Sequence, residues 1–232
     1  MLGAFHTQLH ETANRSGRVR RFCFRSFPLL LILIVASVAA AAGERQFAKV
    51  KWVDDGDTIL LVDGRRVRYI GINAPETANP EHGTRGEPFG YEALKHNIFL
   101  VKNKRIVLEF DREKTDPYGR TLAYVHLPGG PFVNLQMIEE GLAYFVFRKP
   151  NNRYDPAFLE AQRKAMKAGR GIWGNWRKSG QKWIGNRRSR RFHDPDCPFG
   201  QQVSRRNRVE FDTRWEAFWM GYAPAKRCGP DD

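Results

Sequence analysis

The chain's 232 residues suit one ordinary domain with an appendage, or two small domains, and carry 39 Lys and Arg against 25 Asp and Glu, a formal charge of +14. A hydrophobic content of 41% excludes a disordered polymer, scattered Gly and Pro exclude collagen-like sequence, and three cysteines are too few for a disulfide-stapled scaffold. The positive balance favours a polyanionic partner, with nucleic acid ahead of anionic membrane.

In chain order, Arg18, Arg20, Arg21 and Arg25 precede an apolar run from Leu29 to Ala42 that closes on Ala40-x-Ala42. The run is short for a bilayer span and ends in small residues. Segment 1–42 is therefore expected to be a signal peptide cleaved near Gly43, with an uncleaved N-terminal anchor as the alternative. The protein is then secreted or periplasmic, in an oxidising compartment. A membrane is a partner only in the anchored case, and no protein partner is evident.

The remainder divides by composition into a unit over 46–176, a basic linker over 177–184 and a small unit over 185–230. The first opens with a β-run, Phe47–Val53, and the turn-like Asp54-Asp55-Gly56-Asp57. A second β-run, Thr58–Val62, leads through Asp63-Gly64 to Val67–Ile72, the signal for a hairpin on a type I′ turn. In the returning strand Val67 and Tyr69 share one face, Arg66 and Arg68 the other. Further β-runs are Arg105–Phe110 and Thr121–His126. Helical periodicity marks Tyr91–Leu100, Asn134–Glu140 ended by Gly141, and Pro156–Ala168 ended by Gly169. Five short strands with interspersed helices predict an α+β domain built on a small closed barrel of the OB type.

Polar groups gather in that unit beyond what folding requires. Asp55 and Asp57 flank a glycine, Asn73 and Glu76 flank Ala74-Pro75, Arg68 lies five residues before Asn73, and Arg120 follows Tyr118-Gly119. Such a set holds hard oxygen donors for Ca²⁺ or Mg²⁺, a carboxylate base and two guanidinium groups, the parts that phosphodiester hydrolysis needs. Read one by one, the same residues are a turn and a solvated strand face.

Three blocks carry a resemblance: Asp54-Asp55-Gly56-Asp57-Thr58, then Arg68-x3-Ile72-Asn73-Ala74-Pro75-Glu76-Thr77, then Asp116-Pro117-Tyr118-Gly119-Arg120. With Lys149-Pro150-Asn151-Asn152 and Gly171-Ile172-Trp173 they are similar, in order over about 46–176, to the signature of the staphylococcal nuclease (thermonuclease) family. The resemblance implies a five-stranded OB barrel and Ca²⁺-dependent cleavage of DNA and RNA. By match, Asp57 and the Ala74 carbonyl are calcium ligands, and Glu76 is the proposed general base. Arg68 and Arg120 are the arginines that bind the phosphate and stabilise its transition state, and Tyr118 lies near the nucleotide's terminal phosphate. Asn73 stands where the family has a second ligating aspartate, which removes one charge from the calcium set and is expected to weaken the site.

The C-terminal unit resembles the small zinc-binding domain of Ada-type DNA-repair proteins, through Gly185-Asn186-x3-Arg190-x-Phe192-His193-x3-Cys197-Pro198, Asn207-Arg208-Val209-x-Phe211 and Gly221-Tyr222-x-Pro224. His193, Cys197 and Cys228 match three zinc ligands, with Ala225 in place of a fourth. Export makes a Cys197–Cys228 disulfide the competing expectation. Residues 177–232 carry a net +6, which suits contact with a nucleic-acid backbone. Phe192, Phe211, Trp215 and Trp219 are either its core or a stacking surface. The chain thus reads as an exported Ca²⁺-dependent nuclease acting on DNA and/or RNA, with a non-catalytic nucleic-acid-binding module on a degraded site as the alternative.

Overall fold

A computed structural model describes residues 44–78, 83, 85–174 and 182–227. The expected signal segment 1–42, Cys228 and part of the expected linker lie outside the described residues. Strands β1 (Arg45–Val53), β2 (Thr58–Leu61) and β3 (Arg66–Tyr69) are followed by a two-residue strand β4 (Ile72–Asn73), then β5 (Arg105–Glu109) and β6 (Thr121–His126). All but β4 close into a five-stranded barrel in the order β1-β2-β3-β6-β5. β1 serves two neighbours: its first half pairs with β5, its second with β2, and the register slips between Val50 and Trp52. A bulge of this kind bends a strand far enough to close a small barrel. β3 and β6 run parallel, with Arg68 beside Leu122.

Period-2 alternation fills the interior. Val67 and Tyr69 are buried while Arg66 is exposed, and Ile59, Leu61, Ile106, Leu108 and Ala123 complete the centre. The β2–β3 hairpin forms at Asp63-Gly64, but its turn is not type I′. Gly64 N–H donates to Leu61 O (3.1 Å) and Leu61 N–H to Arg65 O (2.9 Å), and of these turn residues only Gly64 has positive φ, 89°. That is a three-residue loop, a type I turn followed by a glycine bulge. Asp63 keeps negative φ because its carboxylate accepts from the Arg65 amide and guanidinium.

Helices α1 (Gly90–Val101), α2 (Val133–Glu139) and α3 (Asp155–Lys167) fall within one residue of the expected periodic runs. Gly141 (φ 68°) and Gly169 (φ 61°) terminate α2 and α3 in the left-handed conformation. Buried Asn134 pins α2 to the barrel, its Oδ1 accepting from Val125 N–H and its Nδ2 donating to Ile70 O (both 2.9 Å). β4 pairs with β7 (Tyr144–Phe145) outside the barrel.

A second sheet, in the order β10-β8-β9-β11, contains β8 (Trp183–Asn186), β9 (Arg191–His193), β10 (Arg208–Phe211) and β11 (Ala223–Pro224). Short helices α4 (Pro198–Gln201) and α5 (Arg214–Trp219) flank it. Trp183, Phe192, Phe211 and Phe218 pack with Ala165 and Met166 of α3 and with Trp173 in one apolar cluster. These aromatics are core, as a small sheet with one buried face requires. Gln162 of α3 stitches the seam: its Oε1 accepts from Phe145 N–H (2.7 Å) and its Nε2 donates to Phe218 O (2.6 Å). The described residues belong to one compact unit, Gly43–Asp232. Among them, no helix is long and apolar enough to cross a membrane.

The zinc expectation is corrected here. Cys197 is disulfide-bonded, and a sulfur committed to a disulfide is no thiolate donor. His193 Nδ1 lies 3.5 Å from that sulfur, so the two residues meet as expected, but the set His193, Cys197 and Cys228 loses the Cys197 thiolate and falls further short of the four donors structural zinc takes.

Two stability predictions follow from this packing. Gln162→Ala leaves the buried Phe145 N–H unpaired and removes one of two donors from Phe218 O, which keeps Gly221 N–H, and should cost about 1–3 kcal/mol in denaturant unfolding. Asp155, half-buried in the first turn of α3, has its carboxyl pushed up to about 7 by burial and then by repulsion from Asp111. A raised folded-state value means stability that is intact below about pH 4 and lost as the pH rises through 7. Asp155→Asn should therefore match the wild type in thermal unfolding near pH 4 and exceed it by about 1 kcal/mol above pH 7, solvent screening keeping the gain small.

Candidate active site

The site begins at a turn that only glycine permits. The Asp57 amide donates to Asp55 Oδ1 (2.8 Å), drawing the β1–β2 turn tight. A Cβ on Gly56 would stand 2.5 Å from Ala74 Cβ and 2.8 Å from Ala93 Cβ. On the other side, a Cβ on Gly90 would meet Glu76 O at 2.1 Å. The segment Ala74–Glu76 is thus clamped between the turn and the first residue of α1. Asn97 of α1 braces the turn from beneath, donating to Asp55 O (2.8 Å) and accepting from Tyr69 OH (2.9 Å).

Asp57 is buried at the centre of this clamp. Its Oδ2 accepts from Ala74 N–H (2.7 Å) and from Arg68 Nη2 (2.9 Å), and its Oδ1 from Thr58 Oγ1 (3.1 Å). Burial nevertheless pushes its carboxyl up to about 7: Arg68 opposes the shift, while Asp55 and Glu76 add to it. A buried carboxylate that one guanidinium fails to compensate is suited to a further cation.

Arg68 spends its terminal donors within the chain. Nη1 donates to Tyr69 O and Ile72 O, and Nη2 to Asp57 and to Asn73 Oδ1, all at 2.9 Å. Asn73 Nδ2 donates to Ala74 O (3.1 Å) and Tyr144 OH (3.0 Å). These partners settle the amide's orientation, because a guanidinium needs an acceptor and a carbonyl needs a donor. Asn73 therefore turns its oxygen to Arg68 and its NH₂ onto the carbonyl expected to ligate metal. Asp57 and Ala74 O fit a hard cation in donor chemistry; Asn73, as oriented, does not join them. Among the described residues no three His, Cys, Asp or Glu side chains form a metal cluster.

Arg120 stands just before β6, whose parallel register with β3 brings it to the same face as Arg68. Buried Asp116 positions it: Oδ1 accepts from the Tyr118 and Arg120 amides and Oδ2 from Arg120 Nε (2.8 Å). Burial works against the Asp116 charge, but the Arg120 hydrogen bonds prevail and hold its carboxyl below the usual range. The two Arg120 Nη groups have no acceptor among the described residues, and Arg120 Cζ lies 5.5 Å from the centre of the exposed Tyr118 ring. Glu76 is solvent-exposed, yet its carboxyl is raised by desolvation on one side and by Asp55 and Glu87, with Arg68 and Arg120 opposing. Its amide is held by Glu87 Oε2 (2.9 Å).

Asp57, Arg68, Asn73 and Ala74 thus form one hydrogen-bonded group, with Glu76, Arg120 and Tyr118 around it. His193 and Cys197 belong to the second sheet and to different chemistry. Sequence reasoning missed Asp116, Tyr144 and Asn97 as supports. Asp116 had a visible signal, an Asx-type loop closed by a glycine; Tyr144 and Asn97 had none, since their partners lie 71 and 42 residues away.

Residues 66–175 match the family described as Staphylococcal nuclease homologue. Over 127 residues the chain is 44% identical to the thermonuclease of Staphylococcus intermedius, covering 53% of this chain and 74% of that protein. Over 142 residues it is 39% identical to the thermonuclease of Staphylococcus hyicus, covering 60% and 82%. Over 124 residues it is 36% identical to endonuclease YncB of Bacillus subtilis, covering 51% and 57%. The second sheet lies beyond the matched family region, and nothing in these likenesses supports an Ada-type zinc domain there. Barrel order, the parallel β3–β6 pair and these likenesses agree, and the chain belongs to the staphylococcal nuclease family.

Proposed function

We propose that this protein is an exported Ca²⁺-dependent nuclease that hydrolyses phosphodiester bonds of DNA and/or RNA. The observation that carries the reading is Glu76 lying under the charges of both Arg68 and Arg120, beside the buried Asp57. The nuclease names of the relatives support the reaction class, and the basic-then-apolar N-terminal segment supports export.

Asp57 and the Ala74 carbonyl would hold the Ca²⁺, which when bound supplies Lewis-acid polarisation of a phosphate oxygen. Glu76, with its raised carboxyl, accepts the proton of the attacking water. Arg120 offers two unengaged Nη groups to the phosphate oxygens, and Asp116 keeps that fork in place. Arg68 contributes its charge and its Nε–H from a rigid position. The second reading, a nucleic-acid-binding module without catalysis, draws on the Asn73 NH₂ that occupies Ala74 O.

Release of acid-soluble nucleotides from DNA and RNA in Ca²⁺, abolished by a chelator, tests the proposal. No release at saturating Ca²⁺ from a folded protein rejects it in favour of the binding module. Arg120→Lys should lower turnover by about 10²-fold or more with thermal unfolding nearly unchanged, because an ammonium lacks the planar fork. A near-wild-type rate would remove Arg120 from the mechanism.

Asn73→Asp removes the NH₂ from Ala74 O and adds a charge, so Ca²⁺ should bind about tenfold more tightly, about 1.4 kcal/mol. Calorimetric Ca²⁺ titration without substrate reads this directly. An unchanged midpoint in a folded variant would put residue 73 outside the calcium shell.

A further inference from the structure

The second sheet does not merely cap α3. Its seam is rigid: besides Gln162, Arg163 Nε donates to Trp219 O (2.9 Å), and the Tyr144 ring meets Phe218 edge-on at 5.3 Å. Tyr144 is the same residue whose hydroxyl accepts from Asn73. The sheet is therefore one side chain away from the residues around Asp57.

Two cations of this C-terminal unit are candidates for contact with substrate at that site. Arg191 opens β9, and its Nη1 donates to Pro224 O of β11 (3.0 Å), the strand that pairs with β9 in parallel. Its guanidinium is largely desolvated and lies in the field of the Tyr144 phenol, Arg148 and Arg68. Among the described residues neither Arg191 nor Arg148 has a carboxylate in salt-bridge range. Arginines that feel each other's charge with no carboxylate of their own, as Arg191 and Arg148 do, are costly to hold and suit an anion arriving from outside. The second cation is Lys226, exposed just after β11. Its Nζ lies 5.8 Å from the centre of the Tyr118 ring, the ring that Arg120 also approaches.

We propose that Arg191 with Arg148, and Lys226 beside Tyr118, form a phosphate-binding track by which the second sheet grips the polynucleotide backbone next to the scissile phosphate. The track rests on the nuclease reading for the identity of its ligand. It makes the second sheet part of the substrate surface and gives the enzyme a preference for polymer over short fragments. A single nucleotide reaches only the barrel's own arginines, whereas a longer strand gains one contact for each neighbouring phosphate.

The test uses the full chain and a labelled single-stranded oligonucleotide of about 16 nucleotides, with anisotropy measured against salt in a chelator so that binding is read without hydrolysis. Lys226→Gln and Arg191→Gln should each lower the slope of log affinity against log salt by about 0.7, the share of one single-strand phosphate contact. Lys164→Gln is the control: it removes an equal charge from an exposed α3 residue already paired with Glu160 at 2.8 Å, and should lower the slope less. If Arg191→Gln unfolds, the decision passes to Lys226→Gln alone, whose exposed side chain carries no structural bond. Slopes equal to the wild type in folded variants overturn the track while leaving nuclease activity, assayed separately in Ca²⁺, untouched. Lowered slopes in a protein that releases no nucleotides uphold the track and reject the nuclease reading.

Discussion

The buried Asp57–Arg68 ion pair is the contact on which the rest of the site depends. A carboxylate at this depth would be driven to its neutral form, and a guanidinium beside it cannot shed its charge. Each therefore holds the other, and through them the β1–β2 turn, strand β3 and the Ala74–Glu76 segment become one piece. Removing Asp57 would strand the Arg68 charge and removing Arg68 would drive Asp57 further toward its neutral form, so the site's electrostatics need both members. The glycine contacts at Gly56 and Gly90 serve the same end by letting backbone approach where any side chain would wedge the clamp open.

Around that pair the two arginines take different parts. Arg68 is saturated by its own chain and acts as a fixed charge, whereas Arg120 is tethered through Nε and leaves its outer fork open. Asn73 adds a third behaviour. An aspartate there would compete with Asp57 for Arg68 and repel it; the neutral amide instead bridges Arg68, Ala74 O and Tyr144. A neutral residue at this position adds no charge to the mutual repulsion of Asp55, Asp57 and Glu76.

The second sheet changes what kind of object surrounds the barrel. Trp183, Phe192, Phe211 and Phe218 are committed to a core shared with α3, so the proposed contribution to binding comes through cations at the margin rather than through these rings.

The sequence by itself determined the barrel, its hairpin and the three helices, because period-2 and period-3.6 patterns and glycine stops are local signals carried by neighbouring residues. It also determined the family and the candidate residues Asp57, Arg68, Glu76 and Arg120, since motif blocks keep their order along the chain. Only the tertiary structure decided the type of the β2–β3 turn, where the Arg65 side chain holds Asp63. It alone decided which way the Asn73 amide faces, since that depends on Arg68 and on Tyr144, 71 residues away. The approach of Lys226 to the Tyr118 ring was likewise beyond reach, because a basic residue in sequence looks the same whether it points to solvent or to a partner 108 residues away. Such facts belong to pairs of residues distant in the chain, and only folding brings the members of each pair within bonding distance.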